Sequence, residues 1–163
     1  MSLDPDDQRL VDQIVEFGFF SQGVFADGDE PAFRYSVGFW ETLKCPEIII
    51  FGLPLDLMHS VLWEMFRQIK AGKALSDGAR WSDLIEGHDC ISRPVHPSQI
   101  MEHFGFALRY RNLRTGSMEG LDAYQLFWPG KLQGLYPWQD GCDQTVRDCQ
   151  PVLYLPRDVV GLA

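Results

Sequence analysis

Two neighbouring stretches, Phe33-Arg-Tyr-Ser-Val-Gly-Phe39 and Glu47-Ile-Ile-Ile-Phe-Gly-Leu53, decide the fold. The first alternates, with Phe33, Tyr35, Val37 and Phe39 on one side and Arg34, Ser36 and Gly38 on the other. A period of two predicts a half-buried strand. The second is almost wholly apolar and rich in β-branched residues, which predicts a central strand covered on both faces. A carboxylate at its first position, Glu47, would be costly to bury unless partnered. A structural ion pair, for instance with Arg34, or backbone hydrogen bonds would satisfy it; an acid/base or ligand-binding role is the sharper alternative.

Reading outward, a strand is expected near Phe19–Ala26, joined by the turn-rich Asp27-Gly28-Asp29-Glu30-Pro31 to the alternating one as a hairpin. Before it lies a helix. Asp4 caps it, Pro5 suits its first turn, Asp6 and Asp7 favour the positive end of its dipole, and Gly18 stops it. Leu10, Val11, Ile14, Val15 and Phe17 form its apolar stripe. On the other side Pro54 opens a second helix with Met58, Val61, Leu62, Met65 and Ile69 inward and Gly72 past its end. Residues 73–87 read as a loop with a helical turn around Ser82–Ile85, and Cys90–Val95 as a short strand. Ser98 is expected to cap a third helix with Ile100, Met101, Phe104 and Leu108 inward. Ala123–Trp128 alternates as a late strand, followed by a long loop and an extended Pro151–Leu155. The order of elements predicts an α+β domain, an antiparallel sheet packed against two or three helices.

The 163 residues suit one globular domain over 1–163, large enough to be stable without disulfide or metal. No apolar run could span a bilayer. The acidic start lacks the basic and apolar regions of a secretory signal, so a cytoplasmic protein is expected. Free thiols are then the default for Cys45, Cys90, Cys142 and Cys149, with a Cys142–Cys149 bridge or half a metal site as the alternative. The net charge is −9, and residues 1–30 hold eight acids against one base. That balance disfavours nucleic acid and anionic membranes as partners.

Gln125-Leu-Phe-Trp-Pro-Gly130, Tyr136-Pro-Trp138 and Gln150-Pro-Val-Leu153 complete a series with the two opening stretches. Together they resemble the bacterial domain-of-unknown-function family 4262, over roughly residues 18–155. That family's pattern has an aromatic-x-Tyr-Thr-Val-Gly-Leu strand, then His-Pro-Glu and an apolar strand ending in Gly-Leu. Gln-x-x-Trp-Pro-Asp, Phe-Pro-Trp and Gln-Pro-x-Leu follow. Ser36 replaces the usual Thr and keeps a hydroxyl. Cys45 replaces the usual His, and Gly130 the usual Asp, so chemistry needing either is lost here. The resemblance implies a bacterial origin and brings no activity with it.

No phosphate-binding, dinucleotide, zinc-protease, nucleophile-elbow, calcium or deaminase motif is present. His88-Asp89-Cys90 groups an imidazole, a carboxylate and a thiol, but alternation on a strand separates Asp89 from the other two. His59 reads as a partly exposed helix residue. Arg109, Arg111 and Arg114 with Tyr110 make a small basic patch, read as a solvated helix end, with a phosphate or nucleic-acid contact as the sharper alternative. The ligand-binding candidates are Tyr35, Ser36, Glu47, Gln125, Trp128 and Trp138; each has a structural reading in sheet hydrogen bonds or loop packing. If the strands are neighbours, Ser36 and Gln125 present polar tips together, and Trp128, Tyr136 and Trp138 line an apolar pocket. The leading expectation is a non-catalytic module binding a small molecule or protein in an aromatic cleft. One alternative is a flavin-using oxidoreductase, by loose likeness to split-barrel flavin reductases. Another is an immunity or adaptor protein whose acidic N-terminal helix meets its partner. No catalytic residue or cofactor is specified.

Overall fold

The computed structural model describes residues 3–157; the ends of the expected domain, 1–2 and 158–163, lie outside the described residues. Helix α1 (Pro5–Phe17) begins as its sequence dictates: the Asp4 carboxylate accepts the Asp6 N–H at 2.8 Å, and Gly18 ends the helix at φ 96°. Its buried face is narrower than the apolar spacing predicts. Leu10 and Ile14 are buried, but Val15 and Phe17 are exposed, and Asp7 turns inward instead. Asp7 is held by Arg109 at 2.5 Å.

Strands β1 (Phe20–Val24) and β2 (Phe33–Val37) form the expected antiparallel hairpin, and β3 (Glu47–Phe51) pairs antiparallel with β2. Between them sits a short helix, α2 (Phe39–Thr42). Gly38, at φ 106°, turns the chain out of the strand, so Phe39 packs on the opposite face from Phe33, Tyr35 and Val37. Helix α3 (Leu55–Lys70) follows, with the expected stripe inward.

The segment read as a loop with a helical turn is instead a strand, β4 (Arg80–Ile85), paired with β5 (His88–Pro94). Asp83 adopts φ 64° and the register shifts between Trp81 and Ile85. The irregularity buries Trp81 and Leu84 three residues apart, a spacing that imitates one turn of helix. The expected third helix is divided. After a 3-10 turn (Pro97–Gln99) come α4 (Ile100–His103) and α5 (Gly105–Thr115), broken at Phe104. His96, not Ser98, supplies the capping side chain. Ile100, Phe104 and Leu108 are inward, but the break leaves Met101 exposed. Strand β6 (Ala123–Phe127) and a helix the sequence reading omits, α6 (Gln144–Cys149), complete the described chain.

The α+β fold is thus built on six strands in the order β1-β2-β3-β6-β5-β4. Two antiparallel three-strand groups meet at one parallel pair, β3 with β6, which makes the sheet mixed. The sheet is open, with edges at β1 and β4, so the split-barrel likeness does not extend to closure. Alternation along β3 sends Ile49 and Phe51 to the face covered by α1, α4 and α5, and Ile48 and Ile50 to the face covered by α3. All five β3 residues are buried. Among the described residues no helix is long and apolar enough to cross a membrane.

Candidate functional site

Ser36 and Glu47 come together, deep in the protein. Glu47 is fully buried, and its two carboxylate oxygens accept the N–H groups of Gly38 and Phe39 at 2.7 and 2.6 Å. Arg34 plays no part, since its guanidinium donates to the Ser21 carbonyl and hydroxyl. Ser36 accepts the Ile48 N–H at 2.9 Å and donates its own hydrogen toward Glu47. Burial pushes the Glu47 pKa up to about 8, against the pull of the Gly38, Phe39 and Trp40 N–H groups and the Ser36 hydroxyl. The carboxyl group acts as an internal cap for α2, accepting its first N–H groups and tying the Val-Gly turn to the start of β3.

Tyr35 points to the other face, where its hydroxyl accepts the Phe106 N–H at 2.9 Å and fixes the start of α5. Burial raises its pKa to about 12. Gln125 shares that face, because Tyr35, Ile49 and Gln125 are in register across β2, β3 and β6. Ser36 is therefore separated from Gln125 by β3 and by the thickness of the sheet, and their polar tips do not meet. Gln125 instead holds the tail, donating to the Pro151 carbonyl at 2.7 Å and accepting the Leu153 N–H at 3.0 Å.

The tryptophans also part company. Trp128 packs on the α3 face, gives its indole N–H to the Phe51 carbonyl at 2.7 Å, and exchanges backbone bonds with the Gln150 amide. Trp138 stacks on Tyr136 and meets Phe127 edge-on, with Arg93 between it and Tyr154. Phe127 ends β6 and Trp128 directly follows it, so the two project from opposite faces. The paired aromatics pin the long loop to the sheet from two sides. The expected basic patch is divided too: Arg109 pairs with Asp7 and Arg114 with Glu41, leaving Arg111. All four cysteines are free. Burial pushes the Cys90 thiol up to about 12, so it is protonated beside His88.

A cleft of about 480 Å³ opens where β2 begins and β3 ends. Phe33 and Phe51 are register partners with ring centroids 5.0 Å apart, and His103 stands edge-on to both at 5.7 Å. The His103 Nδ1 lies 3.1 Å from the Gln99 carbonyl. A carbonyl can only accept, so Nδ1 carries a hydrogen and the Nε2 edge of the ring is left to other partners. Pro151 and Leu153, positioned by Gln125, form another wall. The rim carries Asp29, Glu30, Glu102 and Asp148 against one cation, Arg157, which pairs with Glu102 at 3.4 Å. Gly52 lets this end of β3 close on the tail: at φ 79°, a Cβ there would lie 2.4 Å from the Cys149 carbonyl oxygen.

The family model described as a domain of unknown function (DUF4262) matches residues 13–143. The chain belongs to this family. The family match spans the Gly38–Glu47 cap and the Phe33–Phe51 pair but ends before Pro151 and Leu153. No curated protein and no solved structure matches the chain. Phe33, Phe51, Gln99 and His103 were not singled out from the sequence. The available signal was the spacing of four between Gln99 and His103 on a helical segment, which puts both on one side.

Proposed function

We propose that this chain is a binding module whose ligand site is the cleft at Phe33, Phe51 and His103, and that its ligand is a small organic cation with an apolar body. The observation that carries this reading is the three-ring box under a rim of carboxylates. Two phenyl faces and an imidazole attract an apolar group and, through the ring quadrupoles, a cation. Asp29, Glu30 and Asp148 have no salt-bridge partner among the described residues, so an ammonium or guanidinium would find uncompensated negative charge. Tyr35, Gln125 and Trp128 serve the cleft indirectly, by fixing α5, the tail and the end of β3.

The test is a calorimetric titration of the full chain with phenethylamine, benzyl alcohol and benzoate. Phenethylamine is expected to bind saturably, and His103→Ala to weaken it about tenfold or more while leaving the melting temperature nearly unchanged. Equal binding of all three compounds, or no phenethylamine binding below about 10 mM, would remove the reading.

A second reading rests on the outer surface of α1 and the β1–β2 turn. Val15 and Phe25 are 75% and 80% exposed beside the acids of α1 and the β1–β2 turn. Apolar residues among acids suit a basic protein partner, the adaptor role. Asp12→Lys combined with Glu16→Lys should abolish any complex recovered with the native chain; a complex insensitive to both changes would remove this reading.

A further inference from the structure

Away from the cleft, a second hollow of about 360 Å³ lies between the α2–β3 connection and the end of α5. Trp40, Lys44 and Cys45 line one side, and Arg111 and Asp122 the other. Two observations converge on it. The Trp40 indole N–H is buried and has no acceptor among the described residues. Buried donors are almost always satisfied, so this one lacks the partner its environment calls for.

The cations supply the second observation. Arg109 and Arg114, two and three residues away, are neutralised by Asp7 and Glu41. Arg111 is not: its Nε donates to the Glu119 carbonyl at 2.7 Å, and its guanidinium lies 4.9 Å from the Trp40 ring centroid. Neither Arg111 nor Lys44 has a carboxylate at ion-pair distance among the described residues. In a chain of net charge −9, this hollow sets two cations against one carboxylate, Asp122. Lys44 itself follows the last turn of α2 at φ 58°, the left-handed turn that closes the helix.

The walls are fixed in advance. The Glu47 N–H donates to the Asp122 carbonyl at 3.0 Å, which locks the two lining loops together. A Cβ at Gly120 would lie 3.0 Å from the Arg111 Nη2, so glycine gives the guanidinium its place. Cys45 contributes no charge: its thiol donates to the Pro46 carbonyl, and burial pushes its pKa up to about 12.

We propose that this hollow binds a small anion, a carboxylate or a phosphate, with Arg111 as the charged fork, Lys44 as a second positive charge and the Trp40 indole N–H as the remaining donor. Guanidinium geometry matches either oxyanion. Asp122 on the facing wall disfavours polyanions and favours a compact anion or one carrying its own ammonium group.

The experiment uses the full chain labelled with nitrogen-15. The Trp40 indole peak is assigned by its loss in Trp40→Phe and followed through titrations with inorganic phosphate and with acetate, against chloride at constant ionic strength. A saturable shift with phosphate or acetate, absent with chloride, is expected, and the effective arm identifies the anion class. Arg111→Gln should weaken it about tenfold or more, while Arg9→Gln on α1 leaves it unchanged. No saturable movement below about 10 mM of either anion, or equal weakening by Arg9→Gln, would overturn the proposal. If Arg111→Gln does not fold, Lys44→Gln decides: weakening of about threefold or more supports the site, and unchanged affinity overturns it.

Discussion

At its amino end β3 buries Glu47 beneath the Gly38 and Phe39 amides, whereas at its carboxyl end Phe51 faces an open cleft. Both ends lie within one five-residue strand, and both carry polar groups that the sequence marks. At the closed end both oxygens of the Glu47 carboxyl group are engaged by the chain's own N–H groups. At the open end the polar side chains hold walls, and the cavity between them is left to solvent. A partnered buried acid is thus a device for shaping a turn, and chemistry directed outward must be sought where side chains leave space.

The contrast is broken most severely by Glu47→Ala. It strands two buried N–H groups and opens a cavity, and should cost about 4 kcal/mol in urea denaturation. Glu47→Gln sharpens the point through pH. The carboxyl titrates at its ordinary value of 4.5 when unfolded and at about 8 when folded, so between these values the native state binds more protons. Its stabilising contribution is complete below the lower value and is lost as pH rises through the upper one, by an amount on the order of a few kcal/mol. Denaturation at pH 5, 6.5 and 8 should show this decline in the native chain and its absence in Glu47→Gln.

At the open end, Gln150→Ala removes both bonds to the Trp128 backbone. A loss of about 2 kcal/mol is expected, with faster amide exchange confined to residues 150–157. A drop in protection throughout β3 would mean that the two ends are one cooperative unit. Smallest of all, Glu102→Gln breaks an exposed pair with Arg157 and should shift stability by no more than about 0.5 kcal/mol, while reducing phenethylamine affinity.

Legibility in the sequence followed local physics. The α1 cap, the Gly18 stop and the burial of β3 on both faces depend on nearest neighbours and on composition, and each was readable. Strand β4 was not, because the left-handed Asp83 breaks the period of two and leaves Trp81 and Leu84 at helical spacing. Six-residue α6 buries only Val146, too little for a periodic signal. For the site, the need of Glu47 for partners was clear, but the partners are backbone groups, which composition cannot single out. The separation of Ser36 from Gln125 turned on which strand lies between β2 and β6, a matter of topology. The cleft residues are ordinary aromatics and one histidine, gathered from segments that only the folded chain brings together.

The parallel pairing of β3 with β6 also has a bearing on synthesis. Glu47 opposes Ala123, so one edge of β3 stays open until the ribosome has passed residue 126, more than seventy residues later. Until then the nascent protein carries Glu47-Ile-Ile-Ile-Phe51 as an apolar strand with one open edge, the kind of segment that recruits a like neighbour. Chains released before residue 127 should be captured by chaperones or aggregate, since the last strand among the described residues occupies a place beside the middle of the sheet.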